Sequence, residues 1–132
     1  MAAPNILSLT TATGKTTYFT PSGTTAVVLL QNAASSGKVL KVNSLVAANV
    51  DGTNAADCTV SYYTNGGVAQ GSAPSGGTAF PIASTISVPA DATLIVVDKT
   101  TSIYLKENES IGATAAVAND LVVTCSWEEL NS

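Results

Sequence analysis

Residues 38–64 read KVLKVNSLVAANVDGTNAADCTVSYYT, and the alternation within them decides the fold class. Leu40, Val42, Val46, Ala48 and Val50 fall at even spacing, with Lys41, Asn43 and Asn49 between them. A period of two is the signature of a strand with one buried face. Asp51-Gly52-Thr53-Asn54 then supplies turn chemistry, because short polar side chains bond their own backbone and glycine accepts unusual dihedrals. A second alternating run follows over 57–64, in which Cys58, Val60 and Tyr62 share a face. The stretch is therefore expected to be strand, turn, strand.

The same pattern extends outward in both directions. Toward the N-terminus, short strands are expected over 5–10 and 16–20, the latter stopped by Pro21-Ser22-Gly23, with a buried strand over 25–31. Toward the C-terminus, strands are expected over 82–88, 93–98, 102–106, 110–117 and 121–128. Turns separate them at Pro89-Ala90-Asp91-Ala92, Lys99-Thr100-Thr101, Glu107-Asn108-Glu109 and Asn119-Asp120. Residues 65–78 (NGGVAQGSAPSGGT) are the one low-complexity segment and read as a long flexible loop. Strands spaced about ten residues apart, with no helical period, indicate an all-β antiparallel sandwich or barrel. A length of 132 residues fits one domain spanning 1–132. The expected core is Leu40, Val42, Val60, Tyr62, Ile86, Leu94, Val96, Val123, Cys125 and Trp127.

Composition limits the chemistry. Half of the chain is Ala, Thr, Ser and Val (20, 18, 14 and 14 residues), and there is neither His nor Arg. Without His there is no side chain that ordinarily titrates near neutrality, and the commonest general base and metal ligand is missing. Without Arg there is no bidentate clamp for phosphate or carboxylate. Charged residues make up 11% of the chain, against roughly 25% in ordinary soluble domains. The five cations, Lys15, Lys38, Lys41, Lys99 and Lys106, are scattered and the net charge is −4, so no nucleic-acid partner is expected. No apolar run approaches a membrane span, and MAAPNILSL lacks the basic and apolar regions of a signal peptide.

Each candidate for chemistry has a plainer reading. Cys58 and Cys125 sit in alternating apolar runs with no partner base, and are expected to be buried free thiols that react slowly. Glu107 and Glu109 read as turn charges, and Glu128 and Glu129 as charges at a strand end that guard a sheet edge. Asp51, Asn54 and Asp57 offer oxygens to Ca²⁺ but fit no EF-hand spacing, so an Asx turn is expected. Residues 65–78 lack the P-loop pattern. Tyr18, Tyr63 and Tyr104 could form an exposed contact patch, too small for a carbohydrate site. No catalytic, cofactor-binding or metal residue is assigned, no cofactor is expected, and the chain reads as no enzyme.

Three segments carry a resemblance: SGKVLKVNSLVAANVDGTNAADCTVSYY, STISVPADATLIVVDKTTSIYLKENESI and NDLVVTCSWEEL. They resemble small virion structural proteins of tailed bacteriophages, especially those of cyanobacteria and other marine bacteria. The resemblance runs from about Asn5 to Leu130, and VPADATLIVVDK followed by IYLKENESI is its most specific part. It implies a virion protein, made in the host cytoplasm, whose partners are the major capsid protein or other virion proteins. The function expected from it is capsid decoration or cementing; the alternatives are a tail, baseplate or fibre-associated protein and a receptor- or glycan-binding module. IYLKENESI also resembles the strand-turn-strand of jelly-roll proteins, which shades the fold toward a jelly-roll-like sandwich. Low charge leaves little repulsion between copies, so a homo-oligomer is expected, with a trimer favoured. Residues 1–9 and 65–78 are the expected contact elements, and excising 66–77 is expected to spare the fold while weakening assembly.

Overall fold

The computed structural model describes residues 4–65 and 67–132. The expectations placed on residues 1–3 and on Gly66 lie outside the described residues. Nine strands are present among those described: β1 (Thr11–Phe19), β2 (Val27–Asn32), β3 (Lys38–Asn49), β4 (Ala56–Tyr63), β5 (Ala79–Val88), β6 (Thr93–Val97), β7 (Ile103–Leu105), β8 (Glu109–Ala115) and β9 (Leu121–Asn131). They form two antiparallel sheets, β1-β9-β3-β6 with β7 also on β3, and β2-β8-β4-β5. Leu29, Leu45, Leu105, Ile111 and Leu121 fill the space between them, with both cysteines in the same cluster.

The pairing order is that of a jelly roll. β6 and β7 lie on one side of β3, at Leu45–Ala48 and Leu40–Val42, so they act as one strand broken by a 3₁₀ turn at Lys99–Thr101. The break is held by Asp98, whose carboxylate accepts from the Thr100 and Thr101 amides at 2.9 and 3.2 Å. Counting that pair as one strand gives eight. First then pairs with last, second with seventh, third with sixth and fourth with fifth, which is a long hairpin rolled into two sheets.

Five expectations change. Residues 5–8 form a turn rather than a strand: the Leu7 amide bonds the Asn5 side chain at 3.0 Å and the Ser8 amide bonds the Asn5 carbonyl at 2.9 Å. An Asx turn outcompetes the short alternation there, and β1 begins at Thr11. Within β3, a bulge between Val42 and Ser44 adds a residue against β9. One extra residue moves everything beyond it to the opposite face. Leu45, Ala47 and Asn49 therefore point inward, and Val46, Ala48 and Val50 do not. Ile86 pairs with Cys58 but is 41% exposed, because β5 is an edge strand. Tyr62, Leu94, Val96 and Trp127 are half-buried against the core rather than within it. Finally, the middle of the segment expected to be a flexible loop is tied down: Val28 and Gly71/Ser72 exchange two backbone hydrogen bonds of 2.8 Å, on the open edge of β2.

Candidate functional site

The two ends of the sandwich are closed by matching devices built on buried asparagines. At one end Asn32, the last residue of β2, donates its amide to the Lys38 and Leu105 carbonyls at 2.9 and 3.1 Å and accepts from Ser36 Oγ at 2.6 Å. It thereby joins one sheet to two strands of the other. At the far end Asn49, the last residue of β3, donates to the Asn54 and Val88 carbonyls, both at 2.9 Å, and accepts from the Asp51 amide at 2.9 Å. Each amide uses its two N–H groups and its oxygen, as a buried amide must.

A cleft of about 180 Å³ opens beside Asn32. Leu30 and Asn32 of β2, Lys38 and Leu40 of β3, and Trp127 and Glu129 of β9 line it. Glu129 is held by Lys38 at 2.7 Å and Lys15 at 3.0 Å. The hydrogen bond from Lys38 keeps the carboxyl below its usual range, against an opposing effect of burial and with help from the Lys15 hydrogen bond. Glu129 is thus a half-buried ion-pair residue on a strand flanked by β1 and β3, and not a charge guarding an edge; Glu128 shares that strand. The Trp127 indole Nε1 is buried with no hydrogen-bond partner among the described residues.

Glu109 also departs from expectation. It is 7% exposed, at the first position of β8, and accepts from the Lys106 amide at 2.8 Å and from the Tyr62 hydroxyl. Burial, followed by the Glu109 contact, pushes the Tyr62 hydroxyl up. Turn chemistry around 107–109 was legible, but nothing in the sequence marks one carboxylate of that turn as facing inward. Glu107 remains in the turn. Asp51 accepts from the Thr53 and Asn54 amides at 2.8 and 3.3 Å, an Asx turn that lowers its pKa. Asp57 lies on β4 and is not among its partners. Among the described residues no three metal-ligating side chains cluster.

Cys58 and Cys125 are buried and unpaired, and burial raises their thiols to about 11 and about 12. The three tyrosines do not converge. Tyr18 and Tyr104 belong to one sheet, while Tyr63 lies in the other, its ring so close that a Cβ on Gly112 would sit 2.8 Å from it. Large apolar side chains are also exposed. Phe80, Ile82 and Ile86 are open along the edge strand β5, and Ile95 on β6 is open on the outward face it shares with Val46. No protein-family model, curated protein or solved structure matches the chain.

Proposed function

We propose that this chain is a non-enzymatic structural protein of a tailed-bacteriophage virion, and that it decorates the head as a capsid cement protein. The observation that carries the reading is the open apolar row of Phe80, Ile82 and Ile86 along the edge strand β5 of a sandwich with few charges. A surface with few charges and a cluster of uncovered large apolar side chains is suited to contact with other protein. The carboxylates that invite a catalytic reading are engaged elsewhere: Glu129 by two lysines, Glu109 by Tyr62 and a backbone amide. The thiols are held protonated by burial. A jelly roll also serves lectins, and fold alone decides no function. Against a glycan-binding role, the cleft is smaller than the roughly 300–1,000 Å³ of ligand pockets, and the tyrosines lie on different sheets.

In this reading the mechanism is mechanical. Copies bound across junctions between major capsid subunits add contact area, and many weak contacts sum. Quantitative mass spectrometry of purified virions tests it. Hundreds of copies per particle are expected; tens or fewer would replace the cement role with one in the tail, baseplate or fibres.

A further inference from the structure

We propose that two copies of this chain pair through their β1 strands, edge to edge and antiparallel, about a two-fold axis at Thr16. Among the described residues, β1 is the sheet edge left unguarded. At β2, residues 71–72 cover the edge with two backbone hydrogen bonds to Val28. Along β5, Pro81 has no N–H, Thr85 takes a left-handed φ of 48°, and two register shifts interrupt the ladder with β4. The β6–β7 edge is broken by the 3₁₀ turn at Lys99–Thr101. β1 has none of these guards. It runs nine residues in unbroken register with β9 and holds no proline and no positive φ. Its other edge meets no backbone partner among the described residues. Such a row of N–H and C=O groups is a template for a further strand.

Two residues point to what covers it. Gly14 sits mid-strand, where a glycine marks either a bulge or the close approach of another backbone. Its φ is not positive, β1 keeps register through it, and a Cβ on it would meet nothing within 4 Å. One copy alone therefore gives no reason for the glycine. Tyr18 lies on the same outward face: Gly14 and Tyr18 pair with Glu128 and Thr124, while Lys15 and Thr17 pair with the core-packed Trp127 and Cys125. Tyr18 is 73% exposed. With Thr16 opposite Thr16 of the second copy, each Gly14 lies opposite the other copy's Tyr18. The ring then covers the bare glycine, a pairing that strengthens strand edges.

The same register suits the charges. Lys15, the one charged residue of β1, falls opposite Thr17 of the second copy and is already bonded to Glu129 at 3.0 Å. Moving the axis by one residue would set Lys15 against Lys15, and like charges directly opposite destabilise a strand pair. Residues 13–19 of each copy pair, and the sheet continues across the axis with the same face outward. Each copy contributes the same edge, so the contact is isologous and closes as a dimer. Backbone hydrogen bonds carry the affinity in place of a large apolar area. The pair is therefore transient, half-formed between about 1 μM and about 1 mM chain.

Light scattering on the purified full chain over a concentration series, joined to disulfide trapping, tests the proposal. The wild type is expected to pass from one chain to two as concentration rises to about 1 mM, and no further. Thr16→Lys sets like charges against each other at the axis and is expected to stay at the mass of one chain. Under mild oxidation Thr16→Cys is expected to link readily to itself. Gly14→Cys is not, because its two copies lie more than about 13 Å apart in this register. Gly14→Cys mixed with Tyr18→Cys is expected to link. Cys58 and Cys125 are buried and do not compete. Trp127 fluorescence and circular dichroism verify that each variant folds; Thr16→Glu replaces Thr16→Lys if that variant does not. A wild type still monomeric at about 1 mM overturns the pairing. So does a trimer or larger species, a dimer that survives Thr16→Lys, or Gly14→Cys linking as readily as Thr16→Cys. The pairing is measured on pure protein and the cement role by copy number on virions, so each result stands without the other.

Discussion

Asn49 shows how one residue can decide a region. Its side chain bridges the β3–β4 turn and the end of β5, so it ties the two sheets at one end. Asn49→Ala leaves two carbonyls and the Asp51 amide without that partner. It is expected to lower stability by about 2–4 kcal/mol, since each buried group left unpaired costs about 1–3 kcal/mol; urea midpoints of the two proteins give the difference. Asn49 reads as solvent-facing from alternation alone, because the bulge near Asn43 that inverts its face leaves no mark on hydrophobic period. Glu129 contributes to the acid response, beside Asp51 and Asp98. Its folded pKa lies below the ordinary 4.5, so the native state binds the proton less readily than the unfolded chain. The stabilisation is complete above that ordinary value and is lost as pH falls through the folded one. Glu129→Gln should therefore narrow the gap between urea midpoints at neutral and acid pH, whereas an unchanged gap would show the two lysine contacts to be energetically silent. Cys58 and Cys125 were legible from their apolar runs; neither should label with a thiol reagent in the native state, and both should once denatured.

Among elements, the strands were legible wherever a turn residue punctuated them, because proline, glycine and Asx turns act locally. Their ends were less so. β9 runs to Asn131, past the polar Glu128-Glu129 pair that looked like its terminus, because β1 and β3 pair with it on both sides along that length. The segment 65–78 was read as free loop on its glycines, yet its contacts are long-range and invisible to composition. Gln70 donates to Thr17 Oγ1 and the Leu29 carbonyl, and Gly71 bonds Val28. Gly71 has φ +88°, and a Cβ there would meet the Phe19 ring at 3.1 Å. Gly71→Val is expected to cost about 1–3 kcal/mol from strain and displacement of that ring, read as a lowered melting temperature. The same change should release the β2 edge and raise aggregation in turbidity assays, since uncovered edges pair promiscuously.

For the whole molecule, alternation and turn spacing implied two facing sheets but not which strand sits beside which. Partner choice depends on contacts across the full chain, such as Thr11 beside Asn131. The short resemblance at IYLKENESI shaded the fold toward a jelly roll without deciding the order of strands, which the pairing of the eight strand positions supplies. That order carries a kinetic consequence. The pairs are nested, with β4 and β5 innermost and β1 and β9 outermost, so each pair that forms brings the next two strands near one another. The chain can zip from the middle outward, and the first closure, across residues 64–78, sets the entropy that must be overcome at the start. Halving that segment should speed refolding by roughly threefold, given about 0.6 kcal/mol per doubling of loop length, whereas lengthening the connection between β8 and β9 should leave the folding limb of the chevron nearly unmoved.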